Sequence, residues 1–173
     1  MYQEALLIGR RGAVLRSMSA IDIALFDLVS RKAGLPLAKF LGGWKDKVPA
    51  YASGGYYREG DPFEQLEREI RGNQALGFKD HKIKVGGRSV QEDAARVRHA
   101  RELVGPEGRL SLDANNAYRN AAEAIEAGRA FERAAGTLGL WWFEEPLSPE
   151  DIPGHARVAS VLETPVATGE IHQ

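Results

Sequence analysis

The chain has 173 residues, 43% hydrophobic and 27% charged, and its 23 Lys and Arg against 24 Asp and Glu leave a net charge of −1. Such a composition is enough for a globular domain with a packed core, while balanced charge without a basic tract argues against nucleic acid or a membrane surface as partner. No cysteine is present, which removes disulfides, zinc–thiolate sites and a thiol nucleophile and fits a reducing compartment. Nothing near Met1 has the layout of a signal peptide and no apolar run reaches membrane-spanning length, so the cytoplasm is the expected location.

From Ser17 to Lys32 the apolar residues Ile21, Ala24, Leu25, Leu28 and Val29 follow helical spacing, which predicts a helix with one buried face stopped by Gly34 and Pro36. Residues 37 to 47, ending in "LGGWKDK", read as a connector. "VPAYAS" (48 to 53) is strand-like, and Asp61 with Pro62 then opens a helix carrying Phe63, Leu66 and Ile70, closed by Gly77. The stretch "HKIKVGG" (81 to 87) is a second strand whose alternation puts Lys82 and Lys84 on one face and Ile83 and Val85 on the other. Ser89 with Glu92 forms a capping box for a helix bearing Val90, Ala94, Val97 and Leu103. "RLSLDANNAY" is a short strand that turns polar at Asp113, and Asn120 with Glu123 resembles a second capping box for a helix through Ile125 and Phe131 to Gly136. "LWWFEEPL" is a fourth strand that turns acidic at Glu144; a short helix from Pro153 to Leu162 leads to "TPVATGE", which reaches acid at Glu170.

Short apolar strands alternating with helices predict a parallel sheet of β–α units. The interval from Lys82 to Leu112 is 30 positions and from Leu112 to Trp142 again 30. That period fits half of a β/α barrel, and a doubly wound open sheet gives the same alternation, although neither G-x-G-x-x-G nor a P-loop signature is present.

Two lysines on one strand face can be no more than a solvated surface. Here, however, four successive strands end in ionisable groups: Lys82 and Lys84, then Asp113, then Glu144 and Glu145, then Glu170. In a parallel β/α protein these ends share one face. Carboxylates gathered there repel one another unless a cation lies among them, and oxygen-only donors favour a hard ion such as Mg²⁺. A lysine flanked by a second lysine and facing a divalent cation is predicted to have a depressed pKa and to serve as a base. The chemistry this suggests is removal of a weakly acidic proton next to a carboxylate, with a metal holding the enediolate. His81 should face away from the lysines, and His155 and His172 read as structural or exposed.

The motifs "SAIDIALFDLVSRKAGLPLAKFLGG", "HKIKVG", "LSLDANNAY", "WWFEEPL" and "TPVATGE", in this order and spacing, resemble the mandelate racemase and muconate lactonizing enzyme family of the enolase superfamily. The resemblance implies a modified TIM-type (β/α) barrel of which the chain holds about the first five strands (48–173), preceded by the last helices of an α+β capping domain (1–47). It implies Mg²⁺ ligands at Asp113, Glu144 and Glu170. It also implies a proton-abstracting base at Lys84, an electrostatic partner at Lys82, and a polar residue near metal and substrate at Asn115. Glu145 is expected to point away from the metal. The expected substrate is a small carboxylate, a hydroxy acid or sugar acid, and the expected reaction is racemization, epimerization or acid-sugar dehydration in an intact protein that is a homo-oligomer. Against the family pattern the chain looks like an internal fragment, expected to be inactive alone. An alternative is a noncatalytic half-barrel that folds only by association, because an open sheet exposes edges and apolar faces.

Overall fold

The computed structural model describes residues 1–9 and 11–171, so His172 lies outside the described residues. The chain divides into two compact units, Met1–Pro49 and a second beginning at Ala50. The first holds three helices, α1 (Tyr2–Ala5), α2 (Ala13–Lys32) and α3 (Leu37–Phe40). The connector read over 37 to 47 thus contains one helical turn.

The buried face expected of α2 is not found: Ser30 is its one buried residue, and Leu28 is 61% exposed and Ile21 48%. The periodicity is real, but within this unit two four-residue helices offer too little apolar surface to cover a twenty-residue face. At such positions helical spacing reports amphipathicity, and burial depends on a partner.

The second unit alternates β1 (Ala52–Gly54), α4 (Pro62–Ala75), β2 (His81–Lys84), α5 (Val90–Val104), β3 (Leu110–Asp113), α6 (Ala121–Ala135), β4 (Phe143–Glu144), α7 (Ile152–Val161) and β5 (Val166–Ala167). All neighbouring strands are parallel and lie in the order β1-β2-β3-β4-β5. A sequential order settles the alternative left open by periodicity, since a doubly wound sheet reverses its order at a switch point whereas a barrel does not. The sheet is a run of five consecutive barrel strands.

Local chemistry sets the helix starts. The Asp61 carboxylate accepts from the backbone N–H groups of Phe63 (2.7 Å) and Glu64 (3.2 Å), with Pro62 in the first turn. Ser89 and Glu92 form the full reciprocal capping box. At α6 only half of that device exists: Asn120 accepts from Glu123 N at 3.0 Å, but the Glu123 carboxylate turns to Arg119.

Alternation then separates two faces of the sheet. Ile83, Val85, Leu110, Leu112 and Phe143 join Leu66, Ile70, Val97, Phe131 and Val158 of the helices in one core. The opposite face carries Lys82, Lys84, Ser111, Asp113 and Glu144, with Ser53 paired to Lys82, Lys84 to Asp113, and Asp113 to Glu144 in register.

Candidate active site at the strand ends

The register brings β2, β3 and β4 to an end side by side, and their last residues meet. Lys84 Nζ donates to Asp113 Oδ2 at 2.7 Å. Lys82 Nζ donates to both Glu144 oxygens at 2.9 and 3.0 Å and lies 3.5 Å from Asp113 Oδ2. Asp113 is 1% exposed and its other oxygen accepts from Asn115 N at 3.0 Å. Two ammonium groups and two carboxylates therefore neutralise one another in a site largely withdrawn from water.

Burial pulls the Lys82 ammonium down, but its hydrogen bonds to Glu144 and the charges of Glu144 and Asp113 outweigh that penalty, so its pKa lies above the ordinary lysine value. Each ammonium faces a carboxylate and not its twin.

Three residues that motif reasoning missed complete the surroundings. The indole of Trp142 donates to Glu144 Oε2 at 2.9 Å, two residues earlier on the same side of the strand. Tyr51 and Tyr56 present their rings to Lys82 Nζ (5.5 Å) and Lys84 Nζ (5.3 Å), a placement that favours cations. The spacing of Trp142 and Glu144 at i and i+2 carries the signal for the first; the tyrosines come from the β1 side and have no local signature.

Other expected site residues are placed less centrally. Asn115 is exposed at φ 43°, and the structure ties it to the site through its main-chain N–H. Glu145, φ 44°, is buried, its carbonyl accepting from Asn116 N at 2.7 Å. Glu170 lies three residues beyond β5, exposed, and the structure does not gather it with Asp113 and Glu144. Among the described residues no group of three acidic or imidazole side chains is close enough to hold a metal. The donor chemistry of the Asp113 and Glu144 pair nevertheless fits a hard divalent cation, being all oxygen, doubly negative and already drawing the nearest cations onto itself. His81 is buried with Nδ1 3.1 Å from Lys79 O, and burial holds its pKa below the ordinary value; His155 is buried in α7. A cavity of about 200 Å³ between the loops after β1 and β2 is lined by Tyr57, Arg58, Arg68 and Arg88 among others, but not by Lys82, Lys84, Asp113 or Glu144.

Residues 65–173 match the family model described as enolase C-terminal domain-like. The chain belongs to the enolase superfamily, in its mandelate racemase and muconate lactonizing enzyme branch. It is 42% identical over 167 residues to arabinonate dehydratase of Saccharolobus solfataricus, covering 96% of this chain and 43% of that protein. It is 41% identical over 165 residues to L-talarate/galactarate dehydratase of Salmonella typhimurium, covering 95% and 40%. Among solved structures, a racemase from Streptomyces coelicolor with bound magnesium superposes with a TM-score of 0.88 at 36% identity, covering 99% of this chain and 46% of that one. This member of the enolase superfamily thus spans less than half the length of the relatives it matches.

Proposed function

We propose that the strand-end group is the metal-and-base half of an active site that removes the proton α to the carboxylate of a sugar acid or hydroxy acid. The observation that carries this reading is the pairing of Lys84 with Asp113 and of Lys82 with Glu144 toward the C-terminal ends of three successive strands. Lys84 takes the proton from one face of the substrate. Lys82, two residues earlier on the same face, supplies positive charge to the substrate carboxylate, and Asn115 borders the substrate. Asp113, Glu144 and Glu170 are the residues that would hold Mg²⁺, which supplies charge against the negative charge developing on the substrate carboxylate oxygens.

Of the outcomes open to such a proton transfer, dehydration of a sugar acid is supported by the names of the arabinonate and L-talarate/galactarate dehydratases; racemization is supported by the Streptomyces structure. In a dehydration the α-proton goes to Lys84, and the β-hydroxyl leaves as water by taking a proton from a general acid, so the base gains one proton and the acid loses one. Residues 1–47 we assign to the helical part of a capping domain, and 48–173 to the barrel.

The test is incorporation of solvent deuterium at the α-carbon, followed by NMR with Mg²⁺ and a panel of sugar acids and hydroxy acids. The barrel is closed by placing this chain in the matching segment of the arabinonate dehydratase. Exchange should occur, and Lys84→Ala should lower it by about 10²–10⁴, the range of a general base. Full exchange in Lys84→Ala would overturn the assignment.

A further inference from the structure

We propose that the buried ion pair Asp93–Arg96, on the first turns of α5, is a positioning device that fixes the catalytic end of β2 and with it Lys84. The inference rests on the reading of Lys84 as the base. Asp93 is 0% exposed and Arg96 3%, and they are joined at 3.1 Å. Neither touches the lysine–carboxylate group by its side chain. Besides their own bond and that from the Tyr57 hydroxyl, their hydrogen bonds go to the main chain of the strand ends and loops around it.

The β1–β2 ladder ends with the pair Gly54 and Ile83. One residue further on, both strands turn their carbonyls to one guanidinium: Arg96 donates to Gly55 O at 2.6 Å and to Lys84 O at 2.9 Å. Arg96 thus acts as an additional rung that holds the two strand ends together after the sheet stops. Asp93 fixes the loops beyond that rung. Its carboxylate accepts from Gly86 N at 2.7 Å and Arg88 N at 3.4 Å in the loop after β2, and from the Tyr57 hydroxyl at 2.7 Å in the loop after β1. That hydroxyl accepts in turn from Gly87 N at 3.0 Å, and the Arg96 guanidinium lies 4.2 Å from the centre of the Tyr57 ring.

An apolar pair would fill this place without the cost of burying two charges, so net stability alone is a poor reason for it. What the pair provides is fixed geometry. Lysine carries its charge on a flexible four-carbon stem, so its ammonium is only as well placed as its backbone and partner allow. A misplacement of about 1 Å at a reacting group can cost roughly 10² in rate. Gly55 also precedes Tyr56, whose ring flanks Lys84 Nζ, so the same rung sets a second neighbour of the base.

The test uses the 173-residue protein labelled with ¹⁵N at lysine Nζ, without substrate or metal and at fixed pH. Water exchange of the Lys82 and Lys84 ammonium protons is measured by NMR, with the two signals assigned through Lys82→Arg and Lys84→Arg. Asp93→Asn/Arg96→Gln removes both charges together, which avoids stranding one of them. Exchange at Lys84 should quicken at least tenfold, while Lys82, deeper in the strand, stays within about twofold. Arg96→Lys keeps the charge beside Asp93 but cannot reach both carbonyls, and should give an intermediate change confined to Lys84; it decides the matter by the same comparison if the double variant does not fold. An unchanged Lys84, or Lys82 and Lys84 quickening together, would overturn the proposal. Retention of α-proton exchange in Lys84→Ala would instead refute the base assignment and leave this comparison untouched.

Discussion

β2 and β3 pair through four residues each, and nearly every one of those residues is buried; β4 and β5 pair through two, and both paired residues of β5 are only half-buried. The consequence is visible at the strand ends. Lys84 and Asp113 are locked together at 2.7 Å, whereas Glu170, three residues beyond the short β5, is exposed. The same contrast separates the two units of the chain: the helices on the sheet bury their apolar residues, and α2, with an equally regular pattern, does not. A sequence pattern puts a side chain on the right face, but neighbouring structure on both sides is what fixes its position.

Mutations sharpen that contrast. The largest effect on stability is expected from Phe131→Ala, whose ring is fully buried and meets Phe143 edge-on at 6.0 Å. It should cost about 3–5 kcal/mol by chemical denaturation. Loss of the α6 cap in Asn120→Ala should cost about 1 kcal/mol. By contrast Leu28→Ala on α2 should lie within about 0.5 kcal/mol of the parent, as for an exposed site. A loss of several kcal/mol at Leu28 would mean that the α2 face is covered in solution.

A smaller effect is expected from pH at His81. Burial holds its imidazole below the ordinary value of 6.5. The unfolded chain therefore binds the proton more readily than the fold. The neutral side chain contributes fully above about pH 6.5, and stability declines as the pH falls below that value. Melting followed between about pH 7.5 and pH 5.5 should show the decline, and His81→Phe should lessen it. An unchanged slope in the variant would assign the pH dependence elsewhere.

Much of this molecule was legible in its residues. The capping pairs Asp61 with Pro62 and Ser89 with Glu92 act through local hydrogen bonds, so the sequence states them outright. Strand alternation was enough to place Lys82 and Lys84 together and His81 apart. What the sequence could not give came from pairing across strands. The neutralisation of each lysine by a carboxylate depends on the register that sets Lys84 opposite Asp113 and Asp113 opposite Glu144. Asp93 and Arg96 stand at i and i+3 on one helix, and nothing local shows that their partners are the carbonyls and amides of two other strand ends.

Calorimetric titration of Mg²⁺ into the protein tests most directly whether Asp113 and Glu144, with Glu170 joining them, form the place where a divalent cation belongs. Asp113→Asn, Glu144→Gln and Glu170→Gln should each weaken binding at least tenfold, and Glu126→Gln, exposed on α6, should leave it unchanged. Equal Mg²⁺ affinity in all four variants and the parent would contradict the assignment of these three carboxylates as the metal ligands.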